Sequence, residues 1–347
     1  MRQEQLQRMG IPVTVPRHRR TLWATGFFLM LLIALSAANL LLGEQRIAPL
    51  AVWQALMGQG NSEHVLIVRT FRAPRLVIGL LVGASLAVSG AILQSVIRNP
   101  LAAPDVIGIT GGASVAAVAF ITFIPSAVSL AFLPLFAIFG AFGAALLIYA
   151  LAWKKGVHTA RLVLIGIGIA SLLSGVTTFM LVFSPSYTAA SSYTWLTGSI
   201  YGSTWQHVGV LLPWTVVIAA GIATMMRRMS VQLLGDELAA GLGSSVECDR
   251  FLLLMLSVAL AGSAVAIGGV IGFVGFIAPH AARRLVGPVV NRLIPLSALI
   301  GGCMVALADL LARTLFMPLD IPVGVFTSAI GAPFFIYLLY RTRNNRM

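Results

Sequence analysis

Leu76–Ile97 reads LVIGLLVGASLAVSGAILQSVI, a run with no charged residue, bounded by Arg75 before it and Arg98 after it. A helix needs about 20 apolar residues to cross a bilayer. Lipid offers no partner to an open backbone N–H or C=O, so such a run must be helical. The pattern recurs at Leu22–Leu42, Val106–Ile124, Leu130–Trp153, Leu162–Phe183, Val208–Met226, Phe251–Ile271, Phe273–Leu285, Ile294–Phe316 and Val323–Tyr340. Ten nearly uncharged stretches joined by short polar segments predict an all-α polytopic membrane protein of about ten helices. Phe273–Leu285 is short and reads either as half of a broken helix or as a continuation of its predecessor.

Composition agrees. Hydrophobic residues make up 59% and charged residues 10%, against about 25% charged in a soluble domain. A large soluble helical core would need polar helix faces, and these stretches have none. No polar segment is long enough to fold alone. The expected organisation is a basic cytoplasmic tail over 1–20, one membrane domain over 21–342 and a short cytoplasmic tail over 343–347.

The net charge of +13 invites a nucleic-acid reading, but its placement argues for a membrane one. Of 23 Lys and Arg, all but Arg46, Arg69, Arg72, Arg75 and Arg313 fall in the two tails and alternate joints. By the positive-inside rule both termini are cytoplasmic, which requires an even number of crossings. Cys248 falls in a cytoplasmic joint and Cys303 inside a helix, so no disulfide framework is expected. Leu22–Leu42 is too long for a signal peptide and reads as a retained first helix.

The first external segment, Gly43–Arg75, should hold a short surface helix over Ala48–Leu56. The second, Ser184–Gln206, carries Tyr187, Tyr193, Trp195, Tyr201 and Trp205, a density that suits the membrane interface. The largest internal loop runs over Arg227–Arg250. Gly79 and Gly83, Gly108 and Gly112, and Gly268 and Gly272 sit four apart, a spacing that lets helices approach closely in lipid.

No phosphate-binding loop precedes either lysine, Lys154 or Lys155, so ATP hydrolysis by that route is excluded. The five histidines lack Cys or carboxylate neighbours at metal-ligand spacing. Proton-coupled carriers need buried acids as relays. Here Asp309 is the only acid well inside a helix, and Arg313 lies one turn away as a neutralising partner. Asp105 suits a helix N-terminus. The chain therefore crosses a membrane with no drive of its own: it is passive, or a partner supplies the energy.

Three sets of motifs identify it more closely. Arg72-Ala-Pro-Arg75 leads through Val82-Gly-Ala-Ser-Leu-Ala-Val-Ser-Gly-Ala-Ile-Leu-Gln94 to Arg98-Asn-Pro-Leu-Ala-Ala-Pro-Asp105. Gly272-Phe-Val-Gly-Phe-Ile-Ala-Pro-His280 precedes Ala-Ala-Arg-Arg284 and Leu293-Ile-Pro-Leu-Ser-Ala298. Ala308-Asp-Leu-Leu-Ala-Arg313, Ile321-Pro-Val-Gly324 and Gly331-Ala-Pro333 follow, with Trp195-Leu-Thr-Gly198 upstream. In this order, over about 22–342, the chain resembles the permease subunits of the iron-siderophore and cobalamin importers of the ATP-binding-cassette class, and most of all the ferric-siderophore permeases. The resemblance implies a ten-helix importer permease of the cobalamin-permease type in a bacterial inner membrane. It also implies a second permease subunit, identical or related, two cytoplasmic ATPases and a periplasmic binding protein. The chain itself would not be an enzyme and would need no cofactor, metal or nucleic acid.

The same resemblance assigns roles. Gly235, Asp236, Glu237, Leu238, Ala240 and Gly243 belong to a short helical loop that meets the ATPase; an ordinary connector is the alternative. Arg72, Arg75 and Arg313 would dock the binding protein, or else anchor helix ends by snorkelling. Arg69, Arg72 and Arg75 recur every three residues and share a face if α-helical. Asn99 and Leu101, with Thr159 and Ala160, would form the cytoplasmic gate. The fifth, eighth and tenth helices would line the path, with Gly272, Gly275 and Pro279 distorting the eighth. His280 reads as a packing residue. The expected cargo is an intact ferric siderophore, with cobalamin or haem as the alternative. A proton-coupled carrier is disfavoured by the missing acids. A passive channel would not need the Gly235–Gly243 loop.

Overall fold

The computed structural model describes residues 17–105, 107–124, 130–154, 156, 159–317 and 319–344. Most of the expected N-terminal tail and residues 345–347 of the C-terminal one lie outside these. Fourteen α-helices are described. They are α1 (Arg17–Leu41), α2 (Pro49–Leu56), α3 (Ser62–Val65), α4 (Ala73–Val96), α5 (Ile109–Phe123), α6 (Leu133–Ala152) and α7 (Thr159–Val182), then α8 (Ser186–Leu196), α9 (Trp205–Gln232), α10 (Asp236–Gly241), α11 (Val246–Gly268), α12 (Val274–Val286), α13 (Val290–Thr314) and α14 (Val323–Asn344). Seven segments are long and apolar enough to span a membrane; α5 and most of α14 are shorter apolar helices. Each of the ten apolar stretches is therefore helical, and the architecture is that of an all-α polytopic membrane protein. The internal loop expected over Arg227–Arg250 is shorter than its sequence suggested, because α9 and α11 extend beyond their apolar runs and leave only 233–245 with α10 inside it.

The stretch that opened the reading, α4, is the centre of the bundle. It packs against α13, α11, α12 and α9. Its small residues make that possible. A Cβ on Gly83 would stand 2.3 Å from the Gly301 carbonyl oxygen, and one on Gly301 would stand 2.2 Å from that of Gly83. Gly90 meets the Gly275 carbonyl in the same way, at 1.7 Å. Hydroxyls and an amide add interhelical bonds: Ser89 Oγ donates to the Ser257 carbonyl at 2.9 Å, and Gln94 Nε2 donates to the Phe276 carbonyl at 3.2 Å. Such pairs help hold helices where lipid provides no hydrophobic drive. α5, α6 and α7 form a second group, in which α5 and α6 meet through Gly112 and Gly140, whose carbonyls face each other's missing side chains.

The short eighth stretch is a separate half-length helix. α12 has 13 residues, about 20 Å at helical rise, too short to cross. It begins at Phe273, held at φ +66°. The preceding backbone is clamped by the Trp195–Gly198 motif: a Cβ on Gly198 would stand 2.5 Å from the Val270 carbonyl oxygen, and the Gly324 N–H donates to the Gly198 carbonyl at 3.0 Å. The motif is thus a backbone junction among α8, α11 and α14. Irregular backbone at membrane depth survives where protein covers it.

Candidate functional site

Three regions hold the residues singled out above. The first is the short helix α10. Gly235 and Gly243 bracket it with φ of +108° and +82°, values that L side chains rarely adopt. Asp236 and Glu237 sit in its first turn, where an acid favours the helix dipole. Ala239 is fully buried, whereas Leu238 and Leu242 are 62% and 67% exposed. Ala240 and Glu237 are exposed beside them. Asp236 Oδ2 accepts from Arg250 Nη2 at 2.8 Å, and Oδ1 accepts from Arg98 Nη2. Burial would raise the Asp236 carboxyl, but Arg250 and then Arg98 outweigh it and hold it below the usual carboxylate range. Asp249, buried on α11, accepts from Arg228 and Ser244 at 2.8 and 2.7 Å.

The second region is the turn after α4. Arg98 has φ +53°, one of two described non-glycine residues with positive φ. Asn99 Oδ1 accepts from the Leu101 N–H at 2.9 Å, an Asx turn that lets the chain bend through Pro100. Asn99 and Leu101 lie at the rim of a cavity of about 740 Å³. Its wall is a stripe of α7, namely Val163, Ile167, Ala170, Ser171 and Ser174, faced by Ile97, Ile107 and Phe335. Residues of the fifth and tenth stretches line the cavity, and none of α12 does. Gly275 is packed on the Leu86 carbonyl and Pro104, and Pro279 is buried. Gly272 lies near Asp105 and Ser328. Thr159 and Ala160 continue the α7 stripe at its first turn without reaching the cavity wall. Ser171 and Ser174 were not singled out from sequence; their spacing with Ile167 and Ala170 was the available signal. His280 stacks on Phe276 and accepts from Arg284 at 3.1 Å, a packed position.

The third region is the arginine cluster at the far end of α4. The three-residue spacing does not put these arginines on one face. Leu66–Arg72 is a π-helix, whose wider turn rotates Arg69 outward and Arg72 inward. Arg72 is 7% exposed and donates to the Leu40 and Gln45 carbonyls at 2.7 and 2.5 Å. Arg75 Nε donates to Asp309 Oδ1 at 2.8 Å, and its other nitrogens clasp both oxygens of Asp320, with Nη2–Oδ1 at 2.9 Å. Arg313 reaches Asp309 at 3.7 Å and donates to Asn39 Oδ1 at 2.9 Å. The guanidinium groups of Arg72, Arg75 and Arg313 are thus engaged inside the chain. The neighbouring exposed cations are Arg46 and Arg69. Asp320 was passed over in the sequence, although it is a lone acid in the joint facing these arginines.

The sequence profile described as the FecCD transport family matches residues 30–341. The chain belongs to this family. Among FecCD proteins, it is 47% identical to a probable siderophore transport system permease of Bacillus subtilis (strain 168), over 91% of this chain and 95% of that one. It is 48% identical to an achromobactin transport system permease of Dickeya dadantii (strain 3937), over 91% and 90%. A cobalamin import permease of Halobacterium salinarum is 46% identical over 79% and 73%. Among solved structures, a metal-chelate type ABC transporter in an inward-facing conformation superposes with a TM-score of 0.81 at 30% identity, covering 92% of this chain and 98% of that one. This FecCD chain is accordingly a multi-span membrane permease of the ABC importer type, and its cavity lies beside the turn carrying Asn99.

Proposed function

We propose that the chain is the permease subunit of an ATP-driven importer in a bacterial inner membrane, and that it passes an intact ferric siderophore received from a periplasmic binding protein. The observation that carries this reading is the exposed apolar crest of α10. Leu234, Leu238 and Leu242 stand 55–67% exposed along a short acidic helix and its two flanks, beside the turn that rims the cavity. Apolar side chains on a charged cytoplasmic loop favour a protein partner. A short helix seated in an ATPase groove would convert nucleotide-driven closure into movement of the attached helices. ATP hydrolysis belongs to two partner subunits in this reading, and both termini lie in the cytoplasm.

The cavity supports the cargo class. Its wall is apolar with two serine hydroxyls and one amide, so a bulky chelate slides past without being held. Its volume lies within the range of small-molecule sites, about 300–1,000 Å³. A second permease subunit would close the open side. The outer docking face is centred on the arginine cluster. Exposed Arg46 and Arg69 make first contact with acidic groups of the binding protein. Arg72, Arg75 and Arg313 hold the platform beneath, and Arg75 is able to exchange Asp320 for an incoming carboxylate. Charged rims of this kind mainly set association rate and orientation.

Reconstitution in proteoliposomes with the ATPase and binding protein encoded beside it, and any second permease, tests this. ATP-dependent uptake of a ferric siderophore is expected, and changing Asp236-Glu237 to Lys-Lys should abolish it. Uptake of cobalamin in its place, which the Halobacterium relative makes the second reading, would reassign the cargo. Uptake without ATP or binding protein would overturn the importer.

A further inference from the structure

We infer that Arg98 is a positioning residue that ties the ATPase-facing helix to the cytoplasmic gate. The inference rests on the importer reading above and names the link by which α10 moves the gate.

The tie has two ends. At one, Arg98 Nη2 donates to Asp236 Oδ1 at the start of α10, and Arg98 Nη1 lies 3.6 Å from where a Gly235 side chain would begin. At the other, Arg98 is joined by one peptide bond to Asn99, whose side chain shapes the turn and which stands at the cavity rim. Nothing longer than one side chain separates α10 from the gate.

The opposite oxygen of Asp236 is held by Arg250, whose side chain is 2% exposed on α11. Arg250 also meets Glu247 at 3.1 Å. Asp236 thus sits between a buried cation on a core helix and a half-exposed cation on the gate turn. A push on α10 that tilts Asp236 cannot move Arg250 readily, because α11 is packed in the bundle centre. It can move Arg98, whose neighbours Pro100 and Leu101 are exposed and half-buried turn residues.

The backbone supports the same assignment. Arg98 has φ +53°, in the left-handed range that strains a non-glycine residue. A glycine there would remove the strain together with the side chain. The chain instead carries an arginine there, whose guanidinium spans from the turn to Asp236 opposite that of Arg250. Strained positions cluster where structure must switch.

The test uses the full reconstituted complex with Arg98→Ala, Arg98→Gly and Arg98→Lys. Each is assayed for assembly with the ATPase, ATP hydrolysis, and uptake of ferric siderophore per ATP hydrolysed. Arg98→Ala and Arg98→Gly should assemble and hydrolyse ATP normally while uptake per ATP falls about tenfold, within the usual range for coupled sites. Arg98→Lys should recover most of it. Unchanged uptake per ATP in Arg98→Ala overturns the proposal. So does failure of Arg98→Ala to assemble, which would make the residue part of the docking surface. A wild-type complex without ATP-driven uptake would sink the importer reading itself and this link with it.

Discussion

At the residue scale the most consequential group is Asp309, 3% exposed in its side chain and neutralised chiefly by Arg75. Removing one partner of a buried ion pair leaves an uncompensated charge, which costs more than the pair contributes. Arg75→Ala should therefore cost about 3 kcal/mol of stability, read as a lower unfolding temperature in detergent. Arg69→Ala should leave that temperature unchanged while slowing association with the binding protein. The Asp309–Arg313 pair was legible in the sequence because i,i+4 spacing on a helix is local. The stronger Arg75 partner lies 234 positions away, and no periodicity reveals it until α4 and α13 are packed. Asp236 offers a pH prediction. Its folded pKa lies below its ordinary value of 3.8, so the link to Arg98 and Arg250 is fully present above that value and is lost only as pH falls through the lower one. Uptake should show no inflection from Asp236 between about pH 5 and 8, measured as initial rate against cytoplasmic-side pH.

Elements are decided by backbone contact. Gly90 faces the Gly275 carbonyl, whereas Gly168 and Gly175 on α7 have open space around them. Gly90→Ala should force α4 and α12 apart and cost about 1–3 kcal/mol or more, while Gly168→Ala should be neutral or slightly stabilising through helix propensity. Thermal unfolding of the purified variants separates them. From sequence both glycines read alike, since composition and four-residue spacing do not say which face meets a neighbour. The same blindness affected α12. Its shortness was visible, but whether it broke from its predecessor depended on the clamp made by Gly198, Val270 and Gly324, residues from three distant segments. The three-residue arginine spacing misled for a related reason: a π-helix has no signature in side-chain type.

For the whole molecule, the bundle divides into a core of α4, α11 and α13 and a periphery in which α1, α7 and α9 expose most of their surface. On α7, Ser171 and Ser174 line the cavity, while Phe179, 64% exposed, lies outside its lining. In a Cys248→Ser background, Ser174→Cys should react with a water-soluble thiol reagent and Phe179→Cys, against lipid, should not. Mass spectrometry after labelling of membranes would read both. Equal labelling would mean the cavity is not the wet path. The helical, apolar character of the spans was legible because lipid imposes length and apolarity on them. The cavity was not, because its wall is assembled from the turn after α4, from α7 and from α14 together.

The Arg75–Asp309 pair also sets an order in time. A ribosome adding about 5–20 residues per second needs roughly 10–50 s to travel from one partner to the other. Through that interval the arginine enters the membrane region with its neutralising carboxylates not yet made. The nascent chain must hold α4 near water or against a helper until α13 arrives. Chains ending before Asp309 would keep an orphaned cation at the far end of α4, and quality-control proteases would find them first.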